Sequence, residues 1–210
     1  MIIDLHVHTN PKSPCSSMSP IQVIDQAEKI GLDAVCFVEH DVLWTKEEID
    51  QIQNDTDIKI FRGLEISSLD GHILAYGYEK VVEPFLDIKE IYDFYENQEG
   101  FLAFAHPFRE FLVVGVDQIA ASPEEESKKE IYKFLHGIEI LNGRVSKKAN
   151  VFTQKVNNFL NLKAIGGSDA HELHEVGKVV TIFKNMIYNE KDLVNQLING
   201  EYEVKYFKND

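Results

Sequence analysis

The chain has 210 residues, 44% of them hydrophobic, and a formal charge of −14 from 35 acidic and 21 basic side chains. A chain of this length buries roughly 70% of its unfolded surface, so it needs no covalent staples, and its two cysteines make no disulfide framework. The acidic surface repels nucleic acid and anionic membranes at long range, and no run approaches the ~20 apolar residues of a membrane span.

Ile2–His8 reads as a strand with period-two alternation. Residues 20–30 read as a helix, with Ser19 as cap, Pro20 in the first position and Gly31 at the end. Asp33–Val38 is the next strand, and its Cys36 is a core thiol by its apolar neighbours. Residues 45–53 are helical. Ile58–Ile66 and His72–Tyr78 are strands, and only six residues, 66–71, separate Ile60–Glu65 from His72, which is too short for a helical crossover and predicts a hairpin. Residues 88–99 are helical, Phe101–Ala105 is a strand, and 110–122 carry no clear pattern. Pro123-Glu124-Glu125-Glu126 opens a helical stretch over 123–135. Gly137–Leu141, a helix over 146–161, Lys163–Gly167, Val179–Phe183 and a helix over 190–199 closed by Gly200 complete the series.

Strand and helix in alternation predict a mostly parallel sheet, and seven or eight strands favour a closed barrel over an open sheet. We expect one domain over residues 1–210. The opening Met1-Ile2-Ile3-Asp4 lacks the basic and apolar regions of a secretory signal, which points to the cytoplasm.

Chemistry collects at the strand ends. His6 and His8 lie two apart on one strand, so both imidazoles face the same way, with Val7 opposite. On its own this pair is as readily a surface feature as a metal site. The other strand ends change that balance. They carry Val38-Glu39-His40-Asp41, Gly63-Leu64-Glu65, His72 at the start of its strand, Ala105-His106-Pro107, Glu139-Ile140-Leu141-Asn142 and Gly167-Ser168-Asp169-Ala170-His171. In a parallel barrel these ends share one rim, where active sites are built. Imidazoles with a few carboxylates suit zinc, iron or manganese rather than calcium or magnesium, and there are too many for one tetrahedral ion. Two or three divalent transition metals are expected.

In combination and in order, these segments resemble the PHP (polymerase and histidinol phosphatase) family of metal-dependent phosphoesterases, from Asp4-Leu5-His6-Val7-His8-Thr9 to about Phe183. The resemblance implies an α/β fold, a distorted (β/α)7 TIM-like barrel, with two or three metals. It implies a first metal held by His6, His8, Glu65 and Asp169. Glu65 would bridge to a second with His72 and His106, and His40 and His171 would hold a third. One segment departs from the family, which has an Asp in the turn after the His-x-His-Thr run. Here the turn is Ser13-Pro14-Cys15-Ser16. Proline offers no ligand; Cys15 is either a thiolate substitute or simply a turn residue.

The expected reaction is hydrolysis of a small phosphorylated metabolite by a metal-activated hydroxide, as a phosphatase or phosphodiesterase. Arg109 and Arg144 lie beyond strand ends on the same rim and suit bidentate phosphate binding; Asn142 is a further candidate for the substrate, and Lys12 and Lys178 are weaker ones. The general acid is His171 or a metal-bound water. Two other classes stay open: a metal-dependent hydrolase of carbon–nitrogen or carboxylic ester bonds, and a non-catalytic metal-binding domain. Nucleic acid and membrane partners are not expected, and a homo-oligomer is possible. The role of Glu139 is left open. His136 and His174 are not expected to be ligands, His136 because it ends a helix, where a cation meets the dipole favourably. Segments 41–57 and 108–136 are long enough to form lids. The second holds Phe108, Phe111, Leu112, Val113 and Val114, which suit a cover, core or a dimer contact equally.

Overall fold

A computed structural model describes residues 1–109 and 122–207. Segment 110–121, with Phe111, Leu112, Val113 and Val114 of the apolar stretch, lies outside the described residues. In chain order the elements are β1 (Ile2–Val7), α1 (Pro20–Ile30), β2 (Ala34–His40), α2 (Lys46–Gln53), β3 (Lys59–Ser68), β4 (Gly71–Tyr76), α3 (Ile88–Tyr95), β5 (Phe101–Phe104), α4 (Pro123–Glu126), β6 (Gly137–Asn142), α5 (Lys147–Leu160), β7 (Lys163–Gly167), β8 (Val179–Phe183), α6 (Glu190–Asn199) and β9 (Tyr202–Tyr206).

The strands form one sheet in the order β7-β6-β5-β4-β3-β2-β1-β8-β9, nearly closed into a barrel. β1, β2 and β3 run parallel to one another, as do β5, β6 and β7; β8 is antiparallel to β1 and β9, and β4 is antiparallel to both β3 and β5. The predicted hairpin therefore exists, and the reversed strand is what distorts the barrel. Closure comes at the far end of β1. Val7 bridges to Ala170 in parallel, with His8 N–H donating to Ala170 O at 3.0 Å. Lower down, β8 pairs with the start of β1, and the Thr181 hydroxyl both accepts from Gly166 N–H and donates to Gly166 O.

Local sequence accounts for the elements. Ser19 accepts from Gln22 N–H while Gln22 caps back, Pro20 sits at the first position, and Gly31 ends the helix at φ 77°. Thr45 and Asp87 make the same reciprocal cap for α2 and α3. The barrel lumen is filled by Ile3, Leu5, Val38, Phe61, Leu74 and Phe101, and α6 adds Leu193, Val194 and Leu197. Two outer layers pack α1 and α2 against Val35 and Phe37, and α3 and α5 against Leu64, Ile73 and Leu102.

Three expectations change. The stretch 123–135 is not one helix, because the backbone turns extended at Lys129 between α4 and a 3-10 turn at Glu130–Phe134. α3 stops at Tyr95 rather than near Gly100. A strand, β9, follows the last predicted helix and pairs with β8. Among the described residues, no helix is long and apolar enough to cross a membrane.

Candidate metal centre

β1 does not alternate without interruption. Asp4 pairs with Val35 but Val7 pairs with Phe37, so three steps on β1 face two on β2. This extra residue is a bulge. It lets Ile3 and Leu5 fill the lumen while Val7 turns outward to the α1 layer, leaving His6 and His8 facing inward at the rim. β6 repeats the device between Glu139 and Leu141, and both Glu139 and Asn142 end up buried at the site. β7 presses close to β1 because Gly167 has no side chain. A Cβ there would lie 2.4 Å from the His6 Cβ. His106 and Asp169 both take positive φ, 27° and 54°, backbone that ordinary residues rarely adopt. Such strain concentrates at functional sites, where the surroundings hold it in place.

The strand ends converge on Glu65, itself buried. Its Oε2 lies 3.5 Å from His6 Nε2, 3.2 Å from His8 Nε2 and 3.2 Å from His40 Nδ1. Its Oε1 lies 2.9 Å from His72 Nδ1 and 2.9 Å from His106 Nε2. Asp169 Oδ1 faces the same pair of rings, 3.8 Å from His6 Nε2 and 3.4 Å from His8 Nε2. His6 and His8 present their Nε2 atoms 3.0 Å apart. Three overlapping groups have donors close enough to share an ion: His6, His8 and Asp169; His40, Glu65 and His72; and His8, His40 and His171.

The donor set fits divalent metal. Glu65 Oε2 and Asp169 Oδ1 are buried, and neither has a hydrogen-bond partner, an arrangement that costs free energy unless a cation sits there. Burial, outweighing the attraction of Glu65, pushes His8, His40 and His106 down, His40 to about 4. Burial and then the neighbouring His8 push His171 down to about 3. These imidazoles are neutral, as ligation requires. Burial opposes the charge on Glu65, yet the attraction of His6 and the hydrogen bonds from His106 and His72 hold its carboxyl well below the usual range. Burial likewise opposes charge on His6, but Glu139 and Glu65 override it and push the ring up to about 10. The buried carboxylates thus demand positive charge at the point where His6, His8, Glu65 and Asp169 meet.

Several partners behind the donors escaped the sequence reading. Glu139 Oε1 lies 3.0 Å from His6 Nδ1, and its Oε2 accepts from His106 N–H at 2.9 Å and from the Asn142 amide at 3.0 Å. A carboxylate on the far nitrogen of a ligating imidazole fixes its tautomer and orientation. Ser13 Oγ plays this part for His8 Nδ1 at 3.3 Å and also accepts from His40 N–H. Asp4 accepts from Ser168 N–H and Gly177 N–H, tying down both ends of the loop that carries Asp169 and His171. Glu39, the acid beside His40, is taken up by Thr9 and Trp44 instead.

The remaining candidates divide. Arg109 Nη2 contacts Asp169 Oδ2. Arg144 is paired with Glu175 at 3.4 Å, and Lys178 lies 3.9 Å from the same carboxylate, whose other oxygen accepts from His171 N–H. Asn142 is fully buried, its amide donating to Glu139 and Asp169 and its oxygen accepting from Arg144 N–H. Lys12 pairs with Glu48 and lies over the Trp44 ring. Cys15 is exposed and joins none of the donor groups found among the described residues. His136 is not a helix-end cation: burial lowers its pKa, and its Nδ1 accepts from Leu102 N–H. His174 is exposed and pairs with Glu172.

The family model for the PHP domain matches residues 4–140, and a model described as PHP-associated matches 148–202. The chain belongs to the PHP domain family. The PHP fold is shared with solved structures of low sequence identity. A two-domain protein containing a predicted PHP-like metal-dependent phosphoesterase from Bacteroides vulgatus aligns over 98% of this chain and 64% of its own, at 20% identity and a TM-score of 0.72. A lesion-specific endonuclease from Pyrococcus furiosus aligns over 97% of this chain and 58% of its own, at 16% identity and a TM-score of 0.60. An amidohydrolase from Chromobacterium violaceum aligns over 81% of this chain and 87% of its own, at 15% identity and a TM-score of 0.59. PHP membership makes the chain one of a family of metal-dependent hydrolases, with His, Asp and Glu clusters able to hold metal.

Proposed function

We propose that this PHP protein hydrolyses the phosphate ester of a small metabolite. The observation that carries the reading is the arginine at the donor cluster. Arg109 reaches Asp169, whose other oxygen faces His6 and His8. A guanidinium beside a polynuclear metal site suits the non-bridging oxygens of a phosphoryl group; an amide or carboxylic ester has no such charge to meet. The solved neighbours carry names from different chemistries, so the support for phosphate comes from this chain's own residues. The −14 charge supports a small substrate over nucleic acid.

His6, His8, Glu65 and Asp169 would hold one ion, and Glu65, His72 and His106 a second. His40 and His171 would hold a third. Zinc, manganese or iron in these positions would polarise phosphoryl oxygens and lower the pKa of an attacking water. The chain's own groups do the rest. Glu139 orients His6, and Asn142 holds Glu139 and Asp169 in register. Arg109 and Arg144 bind and orient the phosphoryl oxygens, the second steadied by Glu175. The ring of His171 is neutral, and its Nδ1 lies 2.9 Å from the Asp169 carbonyl, which suits a metal ligand better than a proton donor.

The test is hydrolysis of p-nitrophenyl phosphate and a panel of phosphorylated metabolites by purified protein with added manganese or zinc. Metal-dependent turnover that falls at least 100-fold in Arg109→Ala with bound metal retained supports the phosphoester reading. Turnover of amides or carboxylic esters alone would replace it.

A further inference from the structure

The rim imidazoles His6, His8 and His171 are each steadied through a ring nitrogen, by Glu139, Ser13 and the Asp169 carbonyl. His40 is placed differently. Its Nδ1 turns toward Glu65, the carboxylate shared among the donors, and its ring stacks on His8 with 4.5 Å between centroids. Its position is set by the backbone on either side, and both neighbours in sequence are acids, Glu39 and Asp41.

On the β1 side the strand ladder stops short of this point, since its last pair is Val7 with Phe37. Glu39 takes over beyond it. Its carboxylate is fully buried and accepts from Thr9 N–H at 3.0 Å, from the Thr9 hydroxyl and from the Trp44 indole N–H at 2.8 Å. Thr9 directly follows His8, so one side chain joins the residue after His8 to the residue before His40. On the β3 side Asp41 N–H donates to Glu65 O at 3.0 Å, and Asp41 Oδ1 accepts from Ser67 N–H at 2.8 Å. Asp41 takes φ 53°, left-handed backbone that Asp and Asn tolerate better than most side chains. Apolar packing would join strand ends without the cost of burying a carboxylate. Hydrogen bonds to a carboxylate also fix direction, which apolar contacts leave loose. His8 is held separately, by its N–H to Ala170 O and its ring to Ser13, so the residue left for these two acids to place is His40.

We infer that Glu39 and Asp41 are positioning residues which, through Thr9 and Ser67, fix His40 between His8 and Glu65 and so set the affinity of the ion that His40 holds. The inference rests on the assignment of His40 to a metal ion proposed above. A donor already in place loses little freedom when the ion binds. The test is calorimetric titration of metal-free protein with zinc, in which His40→Ala marks the binding step that His40 serves. Glu39→Gln turns an amide N–H toward other donors, and Asp41→Gly relaxes the backbone while removing the acceptor. Each should weaken the His40 step by about 10–100-fold, and weaken it more than any other step. Asp41→Asn keeps an oxygen for Ser67 N–H and tolerates the same φ, so it should bind zinc as the wild type does. A His40 step unchanged in both Glu39→Gln and Asp41→Gly, or a loss no larger there than at the other steps, overturns the inference. Where His40→Ala alters no step, the metal assignment fails by itself, and the ring-proton NMR resonances of His40 in metal-free protein decide. The stacked His8 ring makes them sensitive to placement. They should shift in Glu39→Gln and Asp41→Gly but not in Asp41→Asn; wild-type resonances in the first two overturn the inference.

Discussion

Glu65 is the residue on which the site turns, because its two oxygens face five imidazoles. Removing its charge should affect two ions, whereas half-exposed His40 would serve the third ion alone in the proposed assignment. Glu65→Gln should therefore lower kcat/KM by at least tenfold more than His40→Ala, measured with metal in excess. Glu139 makes a different kind of test. It reaches the reaction through His6, the His106 backbone and Asn142, so Glu139→Gln should weaken metal affinity by about 10–100-fold while leaving the fold intact by circular dichroism. Loss no larger than twofold would mean that Glu139 does not orient His6. The donor types were legible in the sequence because His, Asp and Glu stood at strand ends followed by turn residues. The roles of Glu139, Ser13 and Asp4 were not. Each depends on a partner fixed by the fold, as Glu139 meets His6 across a sequence separation of 133.

At the scale of elements, the reversed β4 could be read from a connection too short to cross over, and it brings His72 to the rim by its first turn rather than its last. The two bulges could not be read, since His6-Val7-His8 looks the same with or without an extra residue before it. They explain how one strand feeds both the apolar lumen and the polar rim. β9 was signalled by the alternation Tyr202-Glu203-Val204-Lys205-Tyr206, which runs past the glycine that closes the last helix. The contact of β7 with β1 rests on Gly167. Gly167→Ala should destabilise the metal-free protein by about 1–3 kcal/mol in urea denaturation, because the new methyl meets His6 backbone as well as side chain. Unaltered stability would show that the two strands have room to part.

For the whole molecule, the donors come from strands spread around the barrel, so bound metal ties together segments from His6 to His171. Ligation only in the folded state stabilises it. Metal at about 100 times its dissociation constant contributes about 2.7 kcal/mol, and a chelator should lower Tm by roughly 5–10 °C. A Tm indifferent to chelator would mean the rim donors hold nothing tightly. The barrel class was visible in the alternation of elements, and the rim position of the chemistry followed from it. Whether this rim holds a polynuclear centre shared through Glu65 is read by elemental analysis of protein expressed with ample zinc, manganese and iron. The wild type should carry at least two transition-metal ions per chain; less than one per chain would rule the shared centre out.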